Sequence, residues 1–328
     1  MSEFAAGPAG RIERVRALMA ERGYDAIVVR DEANLRWLTG VKGVFDYTFE
    51  FPHAAFITAD QCLFHTDSRY LNSFEENTSA GSPWVYDMDE GTIPGWVAGK
   101  IAANKCRVCA VEDDMQINFY QGIQRGLEDR SVACMLPLMH DDIRKMRAIK
   151  DAEEIELMRH AQSITDAAFQ HMLGYIKPGM TEKQVRNELE NFMFANGADS
   201  LAFGSIVASG PNTANPHAVP SDRVIEKGDF VLMDYGAGYC DYRSDMTRTV
   251  VMGEPTQEQL DLYALVRRAH EECVAAIHPG VEGNDIFKLS KKIIGDAGYG
   301  DYYNHGLGHG VGIDIHEPTS CFSQTMQN

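Results

Sequence analysis

Two aspartates near position 240 are the first side chains in this sequence that could do chemistry. Asp234 ends an apolar run that begins at Phe230, and Asp245 precedes the β-branched residues of a second run. A glycine-containing segment separates the runs, which is typical of a β-hairpin, so we expect the aspartates to face each other across neighbouring strands. Carboxylates at that distance repel unless a cation lies between them, and their oxygens suit Mn, Mg, Co or Zn. Pairing of Asp245 with Arg243 or Arg248 is the alternative that needs no metal.

Three histidines in a glycine-studded segment are the second group of candidates. His305, His309 and His316 lie within 12 residues that also contain glycines at 306, 308, 310 and 312. So many glycines argue against a helix and allow the backbone to approach a ligand closely. In an extended segment His305 and His309 would point to one face. Imidazole is both a metal ligand and a proton carrier near neutral pH, although a loop with incidental surface histidines is the alternative.

A further histidine ends a turn-rich loop just before the predicted hairpin. His217 closes the segment at 209–217, which contains two prolines and one glycine. An isolated loop histidine is more often simply exposed to solvent, so only its neighbours along the chain make His217 a candidate.

The elements that must position these residues fall into two parts. In the first part the spacing predicts a helix at 11–22 and strands at 25–29, 53–58, 61–65 and 107–111. Strands alternating with helices predict an α/β domain over about the first 140 residues.

The second part contains an internal repeat. Apolar spacing predicts helices at 151–176 and 181–195, with Thr181 as the cap of the second. The segment 176–180 resembles 277–281 at an offset of 101, and Gly197 falls on Gly298 at the same offset. We expect two related halves around one sheet, each with a strand after its glycine, and a site in the cleft between them.

Composition limits the function classes. The chain has 328 residues and a net charge of −18, so nucleic acid and anionic membrane are poor partners. We find neither a signal peptide at the amino terminus nor an apolar run long enough to span a membrane. Seven scattered cysteines favour reduced thiols and a cytoplasmic location.

Together these features resemble the creatinase/aminopeptidase metallopeptidases, which have the pita-bread fold. The resemblance rests on Asp234 and Asp245 in MDYGAGYCDYRSDMTRT, His309 in HGLGHGVG, His316 in DIHE and His217 in NPH. Within the family, Xaa-Pro aminopeptidases and Xaa-Pro dipeptidases (prolidases) are most similar. The segments at 27–29 and 66–70 are similar to the family's amino-terminal domain. The resemblance implies an α/β ribonuclease-H-like (creatinase N-terminal) domain over 1–142 and an α+β pita-bread domain with two pseudo-symmetric halves over 143–328.

The resemblance also implies a metal site and a reaction. Asp234, Asp245 and His309 would be ligands of two divalent ions (Mn, Co or Zn), with Asp245 bridging them. A hydroxide between the ions would attack the peptide carbonyl before proline, because metal lowers the pKa of bound water and polarises the carbonyl.

The remaining histidines are implied to act on the substrate. His217 and His316 would hydrogen-bond the substrate and the oxyanion or pass protons, and His305 would line the pocket. The implied substrate is a peptide with proline at its second position, and the family commonly forms homodimers.

One departure from the family pattern bears on activity. The family completes its metal site with two glutamates downstream of the His-Glu motif, whereas residues 318–328 contain no acidic residue. We therefore expect a pita-bread domain that is incomplete at the C-terminus, and a catalytically impaired fragment or non-enzymatic binding remnant is the alternative function. A metal-free amidinohydrolase of the creatinase type is a further alternative, disfavoured because such relatives lack the acidic pair.

Overall fold

The chain divides into two compact units. The computed structural model describes residues 7–42, 44, 52–88 and 91–318. The units are Met1–Glu153 and Glu154–Asn328. The boundary predicted between residues 142 and 143 lies inside the first unit, because two later side chains bind residues of that unit. Arg147 donates to the side-chain oxygen of Asn34 at 2.7 Å, and Asp151 accepts from Arg11 at 2.9 Å.

A five-stranded mixed sheet forms the centre of the first unit. Its strands are β1 (Ala26–Val29), β2 (Ala54–Thr58), β3 (Cys62–His65), β4 (Trp84–Asp87) and β5 (Cys109–Val111). Their spatial order is β4-β3-β2-β1-β5, with β1 parallel to β5, β3 parallel to β4 and the other pairs antiparallel. The four strands predicted from the sequence are confirmed, with ends that differ by no more than two residues.

Helices cover this sheet, so the inner strands are buried on both faces. The helices are α1 (Gly7–Arg22), α2 (Glu32–Thr39), α3 (Leu71–Asn77), α4 (Ile93–Ala103), α5 (Ile117–Asp129) and α6 (Asp142–Arg147). Every residue of β1 and β2 is buried. On one face Val28 and Phe56 pack with Trp96 and Ile101 of α4 and with Ile123 of α5. Burial of these apolar side chains is the main source of the unit's stability.

The predicted repeat is confirmed for the helices of the second part. They are α7 (Ala152–Tyr175), α8 (Glu182–Ala195), α9 (Gln257–Ala275) and α10 (Gly283–Asp296). The turns between the paired helices need positive φ, which is +95° at Gly179 and +89° at Gly280. The helix ends repeat as well, since φ is +102° at Gly197 and +86° at Gly298. Among the described residues, none of the helices is both long and apolar enough to cross a membrane.

The strands of the second unit differ from the prediction of one sheet. They are β6 (Ser200–Leu201), β7 (Ile206–Ser209), β8 (Phe230–Tyr235), β9 (Ala237–Tyr239), β10 (Tyr242–Arg243) and β11 (Met246–Val251). Within residues 154–318, the described part of this unit, they form two three-stranded sheets, ordered β10-β9-β6 and β11-β8-β7. The strand predicted after Gly298 is wrong, because a 3-10 turn at Gly300–Tyr302 takes its place.

Candidate active site

The first aspartate is set by a well-defined strand register. In β8 Asp234 pairs with Thr247 of β11, and the ladder begins one residue later with Tyr235 opposite Met246. Asp245 therefore lies just outside the ladder, diagonal to Asp234. The prediction that the two aspartates face each other directly is wrong.

A second hairpin between β8 and β11 causes this offset. β9 and β10 pair with Tyr239 opposite Tyr242, and the two residues between them, Cys240 and Asp241, have φ values of 47° and 72°. Two successive positive φ angles make the tight turn that suits the twist of a two-residue hairpin. The chain thus folds back once before β11 starts.

The two aspartates interact with each other and with one histidine. Atom Oδ1 of Asp234 is buried and has no hydrogen-bond partner. Burial raises the pKa of Asp245, the negative charge of Asp234 raises it further, and His309 opposes both. Atom Nε2 of His309 lies 3.3 Å from Oδ2 of Asp245. Asp245 is therefore paired with the imidazole of His309. Among the described residues, neither Arg243 nor Arg248 forms the alternative ion pair with it.

The glycine-studded segment brings two histidines together. Gly310 and Glu317 exchange both backbone hydrogen bonds, at 3.1 and 2.9 Å, which closes a turn. His309 and His316 flank the ends of this turn, and their ring centroids lie 4.2 Å apart at a steep angle. Burial lowers the pKa of His316, and the charges of His309 and His217 lower it further. Three of the four predicted histidines are therefore electrostatic neighbours.

The fourth histidine has different surroundings. The exposed ring of His305 packs edge-on against Tyr303, with ring centroids 5.0 Å apart. Its Nδ1 lies 2.7 Å from the carbonyl oxygen of Gly306. Within the described part of the chain, we find no contact between His305 and the other candidate side chains.

Arg243 and Glu317 hold the histidine segment, a role that the sequence reasoning gave to neither residue. The backbone N–H of Arg243 donates to Gly312 at 2.9 Å, and its Nε donates to the carbonyl of Ile313 at 2.7 Å. The carboxylate of Glu317, 4% exposed, accepts from the backbone N–H groups of Ile313 and Asp314 at 3.1 and 3.3 Å. Arg243 thus ties the segment to β10, and Glu317 fixes the turn between the two histidines.

The donor set fits a divalent cation in type. Two carboxylates and an imidazole are ligands that Mn, Co and Zn accept. The buried, unpartnered oxygen of Asp234 is the observation that favours such a ligand, because a buried carboxylate oxygen without a donor is costly. Across residues 7–42, 44, 52–88 and 91–318, however, no group of three or more His, Cys, Asp or Glu side chains is placed to hold one metal ion.

Family models match both units. The model of metallopeptidase family M24 matches residues 156–327, and the model of the creatinase/prolidase N-terminal domain matches residues 11–149. A Xaa-Pro dipeptidase of Pyrococcus horikoshii is 42% identical over 307 residues, which are 94% of this chain and 82% of that protein. An uncharacterised peptidase of Bacillus subtilis is 34% identical over 94% of this chain and 83% of its own length.

Solved structures match the fold along nearly the whole chain. A Xaa-Pro dipeptidase from Bacillus anthracis superposes with a TM-score of 0.87 at 33% identity, covering 98% of this chain and 86% of that chain. An X-Pro aminopeptidase from Thermotoga maritima gives a TM-score of 0.83 at 29% identity, covering 97% and 86%. The expected combination of a creatinase-type N-terminal domain and a pita-bread domain is therefore confirmed.

Proposed function

Because this chain belongs to metallopeptidase family M24 and carries the creatinase/prolidase N-terminal domain, we propose that it hydrolyses the peptide bond before proline, as a Xaa-Pro dipeptidase or aminopeptidase. Relatives and structural neighbours with those names support the substrate class. The observation that carries the proposal is the buried, unpartnered Oδ1 of Asp234 beside Asp245, which is itself paired with His309.

We assign the metal to these three side chains. Asp234, Asp245 and His309 would hold two divalent ions, for which Mn, Co and Zn are the candidates. When bound, such ions lower the pKa of a water nucleophile and polarise the substrate carbonyl.

His316 and His217 would then act on the substrate. The lowered pKa of His316 keeps its imidazole neutral at neutral pH, so it can accept a proton or a hydrogen bond there. His217 shares this neighbourhood and is exposed, so it can reach a bound peptide. His305 is proposed only as a residue that lines the pocket.

A second candidate function has its own support. A catalytically impaired or non-enzymatic binding protein is favoured by the lack, among the described residues, of any group of three His, Cys, Asp or Glu side chains placed to hold one metal ion.

One set of measurements separates these functions. The purified chain is loaded with Mn²⁺, its metal content is measured, and release of proline from a Xaa-Pro dipeptide is followed before and after chelation. We expect metal binding and metal-dependent cleavage, both lost in Asp245→Ala and both retained in Asp296→Ala, an exposed aspartate on α10. Metal binding without cleavage would favour the second function. Absence of both would overturn the proposal, and hydrolysis of an amidine substrate that survives chelation would favour amidinohydrolase chemistry.

We also propose a cytoplasmic homodimer. Among the described residues, the cysteines at 62, 106, 109, 134 and 273 are free thiols, and free thiols favour a reducing compartment. Sedimentation of the purified chain tests the dimer, since a monomer at micromolar concentration would contradict it.

A further inference from the structure

One buried carboxylate binds both ends of the loop that carries His217. Glu182 is the first residue of α8 and is 0% exposed. Its Oε1 accepts from the backbone N–H and the hydroxyl of Ser209, at 2.7 and 2.8 Å. Its Oε2 accepts from the backbone N–H and the hydroxyl of Ser221, at 2.9 and 2.6 Å. Ser209 ends β7, and Ser221 follows the loop, so one side chain closes the whole segment.

Further contacts support the same closure. Asn212, inside the loop, donates its amide to Oε1 of Glu182 at 3.0 Å. Arg223 donates to the hydroxyl of Ser209 at 2.6 Å and pairs with Asp229 at 2.6 Å. The guanidinium of Arg223 is therefore linked to the carboxylate of Glu182 through one serine hydroxyl, and this positive charge favours the charged form of Glu182.

The chemistry of the contacts explains why a glutamate stands here. Burial alone would raise the pKa of Glu182, but hydrogen bonds from Ser221, Asn212 and Ser209 outweigh it and lower the pKa. All five contacts are made by donors, so both side-chain oxygens must be acceptors. A glutamine would turn an N–H₂ group toward N–H and O–H donors, and an aspartate is one methylene too short to reach both loop ends.

Between its two ends, the loop at 209–221 has few other hydrogen bonds that would fix its position. It begins with a 3-10 turn at Gly210–Ala214, and the backbone N–H of His217 donates to the side chain of Asn215 at 3.2 Å. His217 nevertheless lies near enough to His316 for its charge to act on that residue.

We propose that Glu182 is a positioning residue, which holds both ends of the loop at 209–221 and thereby the backbone that carries His217. Its effect on catalysis rests on the proposed function, whereas its effect on the loop does not. Glu182 itself is saturated with donors, so it neither touches substrate nor carries a proton.

The first experiment measures the loop directly. Amide hydrogen exchange is compared for the full-length wild type, Glu182→Gln and Glu190→Gln, a matched glutamate on α8 whose contact with Arg186 is 3.9 Å. We expect exchange at 209–221 to become at least about tenfold faster in Glu182→Gln alone, because hydrogen bonds to a charged group are lost. Unchanged exchange in this loop would overturn the proposal. If Glu182→Gln does not fold, Ser221→Ala removes one of the five donors to Glu182, together with the acceptor of the Arg223 backbone N–H, and should give a smaller increase in the same segment.

The second experiment follows His217. In a histidine-labelled chain, the imidazole resonances of His217 should move toward their denatured-state positions in Glu182→Gln and remain in place in Glu190→Gln. Resonances that stay in place while the loop exchanges faster would show that Glu182 does not position His217, and would overturn the proposal.

A double-mutant cycle links the loop to activity. Glu182→Gln should lower kcat/KM by about tenfold or more in the wild-type background and by little in the His217→Ala background, because both changes act through one imidazole. Losses that simply multiply would contradict action through His217. If the wild type cleaves no Xaa-Pro peptide, the proposed function fails, and the exchange and resonance measurements still decide the role of Glu182.

Discussion

Replacing Glu112 by glutamine should change how the stability of the first unit depends on pH. Glu112 follows β5 and is 5% exposed. Its Oε2 accepts from the backbone N–H groups of Arg30 and Asp31 at 2.5 and 2.7 Å, and its Oε1 accepts from the amide of Asn34 at 2.8 Å. The carboxyl group therefore joins the end of one strand to the start of α2.

The expected magnitude follows from the pKa of Glu112. Burial raises this pKa from 4.5 to about 7, although hydrogen bonds from Asn34 and Arg30 oppose the shift. Between these values the folded state keeps a proton that the unfolded state has released, so the free energy of unfolding falls as pH rises. A shift of this size corresponds to about 3 kcal/mol, fully lost above the folded-state pKa.

The buried residue His53 also makes the stability of the first unit depend on pH, so the wild type must be compared with Glu112→Gln. Burial lowers the pKa of His53 to about 3, so this residue makes the first unit more stable as pH rises toward 6.5. The two effects have opposite signs and partly cancel in the wild type. Subtracting the free energy of unfolding of Glu112→Gln from that of the wild type removes the histidine contribution.

Tryptophan fluorescence during urea unfolding is a suitable assay, because all three tryptophans, Trp37, Trp84 and Trp96, belong to the first unit. We expect the wild type to be more stable than Glu112→Gln near pH 5, where the glutamine disturbs the contact with Asn34. This advantage should fall by about 3 kcal/mol by pH 8. Glu128→Gln, at an exposed carboxyl on α5, should show no such change. A difference that stays constant from pH 5 to pH 8 would refute the assignment of the proton to Glu112.

Three further predictions concern single side chains. The free energy of unfolding of the wild type should fall between pH 6.5 and about pH 4, because the unfolded chain binds a proton at His53 that the folded chain excludes. In His53→Phe this fall should be about 3 kcal/mol smaller in the same urea assay. An equal fall in the two proteins would contradict the prediction. Gly236→Ala places a Cβ 1.9 Å from the carbonyl oxygen of Ser244. It should lower the free energy of unfolding by about 3 kcal/mol, with loss of metal binding in the folded fraction. A melting temperature equal to that of the wild type would contradict this prediction. Thr181→Ala removes the cap hydrogen bond to the backbone of Gln184 and should cost about 1 kcal/mol, measured by circular dichroism during unfolding, and Thr181→Ser should restore most of it.

The helices of the second part could be predicted because their signals are local. Thr181 and Gln184 form a reciprocal cap within four residues of chain. The Pro-Gly stops end their helices through the backbone freedom of Gly179 and Gly280. These signals act between residues that are neighbours in sequence, so the same interactions operate before the rest of the chain is in place.

The register between the aspartates could not be predicted, because it depends on where an additional turn forms. Cys240 and Asp241 adopt positive φ without the Asn-Gly or Asp-Gly pair that usually marks such a turn. Shifting the start of β11 by one residue would reverse which side chains face the core. The pattern of apolar residues is compatible with several first residues for β11, and only the pairing with β8 makes Met246 the first residue of the strand.

Glu182 escaped detection for a different reason. An acidic residue after a threonine cap is explained well enough by the helix dipole, which favours negative charge in the first turn. Its actual partners, Ser209 and Ser221, lie 27 and 39 residues further along the chain. Serines in a turn-rich loop carry no sequence signal that distinguishes a donor to a buried carboxylate from a donor to water.

A comparison of the buried carboxylates in this chain explains why Asp234 stands out. Glu182, Glu112 and Glu317 are all less than 6% exposed, and each accepts hydrogen bonds from at least two donors. In the described part of the chain, the fold satisfies these three carboxylates with backbone N–H groups, the amides of Asn34 and Asn212, and serine hydroxyls. Oδ2 of Asp142 also lacks a hydrogen-bond partner, but Arg22 lies 3.4 Å from it. The partnerless Oδ1 of Asp234 instead lies next to a second carboxyl group, Asp245, whose pKa is raised by burial and by the charge of Asp234. An unsatisfied oxygen of this kind costs about 1–3 kcal/mol, and violations of this sort are expected at functional or strained sites. A cation is the ligand that would remove this one, so the unfavourable electrostatics of the pair favours the metal site over a structural role.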